Sequence, residues 1–354
     1  MNSPAETYLS QAIAKYNNED FAGAMDDLTQ AIELDPNLAL AYYYKGLSYN
    51  KINKVKCYQD FFKAVELDPS LVEAHCYVAQ SYLYDYYEFD NAIEALNKAL
   101  GLDPNHLLAL STMGDAYNIF AKFDKAKELY DKVIALDPNS FWAYFNRAHT
   151  KGNNKDFKGA FDDFSSAIGI DPSLYNTYFH RANIRHCMGD IEGAIADLTK
   201  SIELEPNYST ALYLRATLKA DLSDFAGALK DINATIALGR GGDNHMYFID
   251  RGIINLLQDR HSEAITDFNS VIKLNRKLPL TRLYRGIAKY NIGNKVSARA
   301  DWKREGVPTS LAKSVMNNLK KIPFRFLINL RFDEESKESD FHYSNIKKYI
   351  DGHS

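Results

Sequence analysis

Apolar residues recur along most of this chain at the three- and four-residue spacing of amphipathic helices, and the same pair of helical segments returns every 34 residues. The clearest copies are residues 141–174 and 175–208. They share Tyr144/Tyr178, Arg147/Arg181, Ala148/Ala182, Asp156/Asp190, Ala160/Ala194, Asp163/Asp197 and Pro172/Pro206. A fixed period of this length with two helices per unit is typical of a helix-turn-helix repeat.

Turn signals place the repeat boundaries. Six units end in an apolar residue, an acidic residue and a proline, and the proline ends the helix because the residue before it is disfavoured in helical conformation. These ends are Leu34-Asp35-Pro36, Leu67-Asp68-Pro69, Leu102-Asp103-Pro104, Leu136-Asp137-Pro138, Ile170-Asp171-Pro172 and Leu204-Glu205-Pro206. Units seven and eight end near Leu238 and Leu274, and Thr281–Glu305 adds a ninth. The sequence therefore predicts nine repeats over residues 5–306.

Three positions keep their character in every repeat. The first helices carry a small residue at Ala12, Gly46, Ala79, Gly114, Ala148, Ala182, Ala216, Gly252 and Gly286, and the second helices at Ala24, Cys57, Ala92, Ala126, Ala160, Ala194, Ala228, Ala264 and Ala298. A large residue follows at Leu28, Phe61, Leu96, Tyr130, Phe164, Leu198, Ile232, Phe268 and Trp302. Because mid-helix glycine is costly, we expect the paired helices to meet backbone to backbone at the small positions.

This order of large, small, aromatic and proline positions resembles the tetratricopeptide repeat over residues 5–306. The resemblance implies an all-α fold, a right-handed superhelical solenoid of antiparallel helix pairs whose first helices line a concave groove. In that family the groove usually binds peptides or other proteins. The Lys and Asn pattern of family members that clamp chaperone tails is missing from every repeat, which disfavours that ligand.

Departures from the period indicate local changes. The third repeat has one extra residue in the turn 84–88, and a longer glycine-rich stretch at 239–244 predicts a flexible joint. Glu305 stands where earlier repeats have a small residue, so we expect the array to end there and residues 307–332 to cover it with a capping helix near 310–321. Residues 324–332 are apolar at every even position, which predicts a strand-like segment, packed on the last helix pair or pairing with a second copy. Residues 333–354 read as a mobile charged tail with a short helix.

Composition narrows the function. The 354 residues are 46% apolar with a net charge of -4, which disfavours nucleic-acid binding. A membrane-spanning run and a secretory leader are not recognisable in the sequence, and three scattered cysteines fit a reducing compartment, so a cytoplasmic location is expected. The 24 tyrosines and 19 phenylalanines must line a core or a binding face.

Basic and acidic residues sixteen positions apart link the two helices of most repeats. They are Arg147 with Asp163, Arg181 with Asp197, Arg215 with Asp231, Arg251 with Asp267 and Arg285 with Asp301, with Lys45 and Asp60 one residue closer. Repeats three and four lack both members, whereas repeat one has Gln11 with Asp27. This co-occurrence predicts a structural ion pair inside each repeat, since half-buried charges are tolerated when paired. The alternative is that the arginines form a ladder for a ligand.

The exposed faces of the first helices carry aromatic, amide and histidine side chains. By helical spacing the predicted groove residues are Tyr43, Tyr44, Tyr77, Gln80, Trp142, Phe145, Asn146, His149, Phe179, His180, Asn183 and Tyr213. Rings supply contact area and amides hydrogen-bond a peptide backbone, so the pattern favours a peptide or protein partner of low charge. The alternative is that these rings pack between neighbouring first helices.

Signatures of catalysis and of cofactor or metal binding are missing from the sequence. His149, His180, His186 and Cys187 do not have the spacing of a metal site, and no nucleophile or nucleotide motif is present. We therefore predict no cofactor, no metal and no enzyme, but a noncatalytic interaction scaffold or adaptor that holds a peptide in its aromatic groove. The alternatives are self-assembly through residues 324–332 as a homo-oligomer, or a regulatory subunit of an enzyme complex.

Overall fold

The computed structural model describes residues 3–53, 58–239, 244–275, 278, 280–322, 324 and 327. Within these residues the chain is helical and contains no strand, so the all-α prediction is confirmed. The chain forms two compact units, Met1–Pro172 and Ser173–Ser354. The division falls between the fifth and sixth predicted repeats.

The described part of the first unit contains ten α-helices. They are α1 (Pro4–Asn17), α2 (Phe21–Leu34), α3 (Ala39–Asn53), α4 (Gln59–Leu67), α5 (Val72–Ser81), α6 (Phe89–Leu102), α7 (Leu107–Ile119), α8 (Phe123–Leu136), α9 (Phe141–Asn153) and α10 (Phe157–Ile170). Odd and even helices pack as the first and second helices of five consecutive repeats, and α2, α4, α6 and α8 also pack on the first helix of the next repeat.

The second unit continues the same pattern. Its described helices are α11 (Tyr175–Cys187), α12 (Ile191–Leu204), α13 (Ser209–Asp221), α14 (Phe225–Leu238), α15 (Asn244–Leu257), α16 (His261–Leu274), α17 (Thr281–Asn291), α18 (Lys295–Glu305) and α19 (Thr309–Asn318). Four helix pairs form repeats six to nine, and α19 packs on the last pair and runs into a short 3-10 helix, Leu319–Lys321.

Aspartates begin several of the second helices. Asp20, Asp156, Asp190 and Asp224 each accept a hydrogen bond of 2.9 Å from the backbone N–H three residues later, which is a glycine in every case. An N-cap of this kind satisfies one of the donors that a helix start leaves free. The shared Asp156 and Asp190 of the repeat pattern thus set where the second helix starts.

The core follows the three repeated positions, with one correction. All described members of the small and large positions are buried. At Gly46, Gly114 and Gly252, however, the space of a Cβ atom is taken by the ring of the large residue, 2.7–2.8 Å away, and not by a facing backbone. The expected backbone-to-backbone contact is therefore wrong at these glycines, because an aromatic ring needs the volume that alanine would fill.

Ring size in the second helix correlates with the residue in the first. The four glycines face Phe61, Tyr130, Phe268 and Trp302, whereas Ala12, Ala79, Ala182 and Ala216 are matched with Leu28, Leu96, Leu198 and Ile232. Only the fifth repeat combines an alanine, Ala148, with an aromatic residue, Phe164. Total volume is nearly conserved from repeat to repeat, as close packing requires.

The extra residue of the third repeat forms a π-helical turn, Tyr82–Tyr86, directly after α5. Tyr87 follows in left-handed conformation with φ of 55°, and the Glu88 N–H returns to the Tyr82 carbonyl at 2.8 Å. A single inserted residue is absorbed in this way without interrupting the helix pair.

The end of the array is covered by apolar side chains. Ala312 and Val315 of α19 are buried together with Ile322, Phe324 and Leu327 in the core of the second unit. Glu305 is held beside Arg282 at 3.6 Å, and burial raises the pKa of its carboxyl. The capping segment thus joins the hydrophobic core of the last two repeats.

Several predictions fall wholly or partly on residues that the structure does not describe. Phe324 and Leu327 are helical and buried in the core of the second unit, which fits the alternative that this segment packs on the last helix pair. The predicted strand-like conformation is not found at these two positions. The other residues of 324–332 and the tail 333–354 lie outside the described residues. The same holds for Cys57 and for most of the joint 239–244.

We expect Gly252→Ala to destabilise the second unit by about 1–3 kcal/mol, because the new Cβ would lie 2.7 Å from the Phe268 ring. Adding Phe268→Leu reproduces the alanine–leucine pairing of other repeats and should recover most of the loss. The urea midpoint of unfolding measures both effects. Gly101→Ala is the control: nothing lies within 4 Å of that site, so alanine should stabilise by about 0.5–1 kcal/mol. Equal destabilisation by the single and double variants would contradict this explanation.

Candidate functional site

The first helices α5, α7 and α9 line a groove of about 930 Å³ in the first unit. It contains four of the predicted residues, Gln80, Trp142, Asn146 and His149. The remaining lining residues are Tyr84, Leu107, Leu108, Ser111, Thr112, Asp115, Asn118, Ile119, Val133, Ser140 and Asn153. Its volume and its mixture of apolar and polar groups suit a bound ligand.

Asp115 lies among hydrogen-bond donors in this groove. The Tyr130 hydroxyl donates to its Oδ1 at 2.5 Å, and the Asn146 side-chain amide donates to the same oxygen at 3.0 Å. Burial raises the pKa of Asp115 to about 6, and these two hydrogen bonds oppose the shift only in part. The groove therefore has a carboxylate that gains and loses its charge near neutral pH.

Trp142 is the most exposed aromatic ring of the predicted set, with 60% of its surface accessible. Its ring contacts those of Phe141 and Phe145 edge to face, with ring centroids 5.0 and 5.6 Å apart. These two contacts restrict the orientation of the Trp142 ring. His149 packs on the Phe145 ring, and burial lowers its pKa, which keeps the imidazole neutral at pH 7. An exposed ring on a fixed base is what a hydrophobic anchor of a ligand requires.

Amide side chains are held in position along α7 and α9. The Thr150 hydroxyl lies 3.1 Å from the Asn118 side-chain oxygen and 2.9 Å from the Asn146 carbonyl. Through this hydroxyl one residue of α9 links Asn118 of α7 to the backbone of α9. Thr150 therefore orients the side chain of Asn118, and the side-chain amide of Asn146 is oriented by its hydrogen bond to Asp115.

Two predicted groove residues are instead part of the packing. Tyr43 and Phe145 are each only 8% exposed, which corrects the expectation that their rings line the groove. Tyr43 donates its hydroxyl to the Glu73 carboxylate and touches the rings of Tyr44 and Tyr77. Tyr43, Tyr44 and Tyr77 therefore follow the alternative interpretation, in which the rings pack between neighbouring first helices.

The second unit contains the other four predicted residues, which form contacts of their own. Phe179 packs against His180 and Tyr208, and the Asn183 amide donates to the Phe179 carbonyl at 2.9 Å. Tyr213 packs on Tyr247 and donates its hydroxyl to Asp250 at 2.5 Å. All four predicted side chains are half-buried.

The sequence prediction missed Asp115, although a signal for it was present. Asp115 directly follows Gly114, as Gln80 follows Ala79, His149 follows Ala148 and Asn183 follows Ala182. It thus occupies the repeat position that supplied three of the predicted groove residues. Tyr84 could not be placed, because its direction depends on the π-helical turn.

The arginine–aspartate pairs lie within each repeat and are largely shielded from solvent. Arg147 contacts Asp163 through two hydrogen bonds of 2.8 and 2.6 Å, and Arg181 contacts Asp197 at 2.9 and 2.7 Å. The pairs Arg215–Asp231, Arg251–Asp267 and Arg285–Asp301 have the same two-point geometry. Lys45 lies 3.5 Å from Asp60. Two-point contacts of this type fix both helices in register.

Four of these arginines, Arg147, Arg215, Arg251 and Arg285, also contact the second helix of the preceding repeat. Arg147 reaches Asp131 on the preceding second helix, Arg215 reaches Thr199 at 3.1 Å, and Arg285 reaches Asn269 at 2.7 Å. These arginines thus fill the space between neighbouring second helices. Engaged on both sides, they are oriented for internal contacts and not for a ligand.

A second cation that the sequence analysis did not identify completes several pairs. Lys151, Lys219 and Lys289 approach Asp163, Asp231 and Asp301 to within 2.8 Å. In repeat one Lys15, at the same repeat position, lies 2.6 Å from Asp27. Burial acts to raise the pKa of Asp231, but the hydrogen bonds from Arg215 and Lys219 outweigh it, so the pKa lies below its usual value.

Other site types find no support in the described part of the chain. Those residues contain no group of three or more histidine, cysteine or acidic side chains that could hold a metal ion. Every helix there is too short or too polar to cross a lipid bilayer.

Comparison with family models identifies tetratricopeptide repeats in this chain. Two models described as tetratricopeptide repeat match the chain, one over residues 5–38, 88–106, 109–140 and 175–208 and the other over 129–161. No curated protein matches it in sequence.

Several solved structures have a similar fold. The type IV pilus biogenesis factor PilW is 18% identical, covering 60% of this chain and 97% of its own, with a TM-score of 0.53. A tetratricopeptide repeat protein from Parabacteroides merdae is 20% identical, covering 67% and 94%, with a TM-score of 0.52. PilF of Pseudomonas aeruginosa is 18% identical, covering 59% and 93%, with a TM-score of 0.50. Similarity at this level shows the fold alone.

We expect Arg181→Ala to lower the free energy of unfolding by about 3–5 kcal/mol, because it leaves the buried Asp197 without its main partner. Arg181→Met combined with Asp197→Leu should recover most of this loss, since Arg185 keeps its contact with the Gly193 carbonyl at 2.8 Å. Chemical denaturation measures each variant.

The matched control for this prediction is the exposed pair Lys158–Asp162, where Asp162→Ala should change stability by less than about 1 kcal/mol. If the double variant were as unstable as Arg181→Ala, the structural interpretation of these pairs would be rejected.

Proposed function

This chain belongs to the tetratricopeptide repeat family, and on that premise we propose that it is a noncatalytic scaffold or adaptor that holds an extended peptide segment of a partner protein. Repeats of this family generally mediate contacts between proteins and do not catalyse reactions. The fold is compatible with many partners, so the proposal rests on the groove of the first unit. We further propose that the protein works in the cytoplasm, as its composition predicts.

The observation that carries the proposal is the combination of Trp142 with fixed polar groups in one groove. The Trp142 ring is 60% exposed and supported by Phe141 and Phe145. Asn118 and Asn146 line the same groove as acceptors and donors. A peptide in extended conformation presents apolar side chains and backbone N–H and C=O groups at short intervals. The Trp142 ring can contact an apolar side chain, and the asparagine amides can hydrogen-bond the backbone groups.

Charge in the groove limits the ligand. Asp115 is the one carboxylate among the lining residues, and the lining includes neither lysine nor arginine. A strongly acidic segment would be repelled by Asp115, and a strongly basic one would find a single counter-charge. We therefore propose a segment of low net charge whose backbone N–H groups are placed to donate to Asp115.

The four predicted residues of the second unit belong to the same proposal as a separate contact surface. Phe179, His180, Asn183 and Tyr213 combine rings and amides in the way that the first unit does. Their partial exposure supports a role in contacting the partner.

Self-assembly through residues 324–332 is the second candidate, and the structure gives it less support. Phe324 and Leu327, the two described residues of that segment, are 4% and 0% exposed within the core of the second unit. Side chains used inside one chain are not offered to a second copy. A role as regulatory subunit of an enzyme complex would use the same groove and is a special case of the main proposal.

We expect Trp142→Ala to remove partner proteins that the wild-type chain captures from an extract, because an anchoring aromatic ring contributes about 2 kcal/mol or more to an interface. Quantitative mass spectrometry of the captured proteins is the measurement. Trp142→Ala with Phe179→Ala should remove at least the same proteins. Tyr86→Ala is the matched control, since Tyr86 is also 60% exposed but lies outside the groove. An unchanged set of captured proteins for all variants would count against the groove.

We expect affinity for a captured partner to fall between pH 7 and pH 5, because Asp115 has a pKa of about 6 and its protonated form accepts hydrogen bonds less well. Asp115→Asn should bind with an affinity that no longer changes over this range. Titration calorimetry at both pH values gives the result, with His149→Gln as a control for the other titratable side chain of the groove.

Protonation of Asp115 would not produce such a fall in affinity by unfolding the protein. The pKa of Asp115 is raised in the folded state, so protonation of this residue favours folding as the pH decreases from 6 towards 4. If Asp115→Asn retained the full pH dependence, Asp115 would not be the group that contacts the ligand.

A further inference from the structure

In four of the nine repeats an arginine contacts both the second helix of its own repeat and that of the preceding repeat, and so occupies the space between them. The third repeat has Val78 in place of that arginine and Ala95 in place of its aspartate. The fourth repeat has also lost both charges, but there the larger side chains Met113 and Leu129 replace them. The third repeat is thus the one in which the pair is replaced by two small apolar residues.

A pocket of about 580 Å³ lies where these side chains are missing. It is bounded by α4 and α6, with Val78 of α5 and Tyr82 of the π-helical turn also in its wall. At the corresponding place between α14 and α16 of the second unit, the cleft is about 370 Å³ and contains Arg251. The comparison within one chain indicates that the larger volume follows from the lost arginine–aspartate pair.

The inner wall of the pocket is apolar and partly aromatic. Phe62 and Tyr82 meet edge to face with ring centroids 5.4 Å apart, and Val65, Val78 and Ala95 complete the surface. The π-helical turn determines where the Tyr82 ring lies, and such turns are frequent at functional sites. A flat ring inserted here would contact two other rings and three aliphatic side chains.

The rim carries charges that cancel. Glu66 is paired with Lys63 at 3.1 Å, and Glu94 is paired with Lys98 at 2.7 Å, each along its own helix. His75 is 6% exposed and its Nε2 lies 2.9 Å from the Pro69 carbonyl, so this imidazole is engaged within the protein. A charged ligand would lose its hydration and gain no unpaired counter-charge at this site.

We propose that the pocket between α4 and α6 binds a small, uncharged aromatic molecule. The volume lies within the range of pockets that enclose small ligands, which is roughly 300–1,000 Å³. The neutral rim selects against charged compounds, and the two rings of the wall favour an aromatic ligand over an aliphatic one. The site is separate from the groove of the proposed function and does not depend on it.

The test uses indole as the probe, with tryptamine and indole-3-acetate as charged analogues of similar shape. We expect indole to shift the methyl resonances of Val78 and Ala95 in the NMR spectrum of the full chain, and to bind at least about tenfold more tightly than either analogue. Absence of a shift at both methyl groups with saturating indole would overturn the proposal, whatever any variant shows.

A variant with larger side chains in the pocket provides a second test of the proposal. Val78→Met with Ala95→Leu introduces side chains of the fourth repeat's type and should weaken indole binding by about tenfold or more, because they take the volume that the ring needs. Thermal unfolding should show this variant to be at least as stable as the wild type. Val296→Met, at a position that is 84% exposed, adds the same group outside the pocket and should leave indole binding unchanged. Equal affinity of the wild type and the filled variant would reject the site.

Discussion

The structure depends on the steric fit between one small residue of each first helix and one large residue of the second helix that follows it. Where the large residue is Phe61, Tyr130, Phe268 or Trp302, the small one is glycine, and the ring occupies the space of its missing Cβ. Where it is aliphatic, alanine suffices. This exchange nearly conserves the combined volume of the two side chains from repeat to repeat, and close-packed interiors tolerate changes that conserve volume.

The same contact also reaches the candidate site. Tyr130 fills the space beside Gly114 with its ring and uses its hydroxyl to hold Asp115, the residue next to that glycine. The side chain that packs the fourth repeat therefore also orients the carboxylate of the groove. A change at Tyr130 would alter packing and ligand contacts together, so the two roles have to be separated through Asp115 itself.

A second layer of contacts, the arginine–aspartate pairs, explains where the chain departs from its own pattern. Arg147, Arg215 and Arg285 each bridge their own aspartate and the preceding second helix. In repeats three and four this layer is absent, and there the structure has its groove with Asp115 and its apolar pocket beside Val78. The groove and the apolar pocket of the first unit thus both include residues of repeats three and four, which lack the arginine–aspartate pairs.

The sequence by itself determined the helix pairs, most of their boundaries and the repeated core positions. The 34-residue period, the prolines that end six repeats and the sizes of the side chains can all be read from the chain alone. It also indicated which charges pair, because both members are present or both are missing in every repeat except the first, which has Gln11 with Asp27. Tertiary structure alone decided that Tyr43 and Phe145 are buried, that rings and not backbones fill the glycine sites, and that Phe324 and Leu327 are helical. It also decided the direction of Tyr84 and the volume beside Val78. Those outcomes depend on which side chains of other helices reach a position. Helical spacing predicts the helix face on which a side chain lies, but not the atoms that this face contacts.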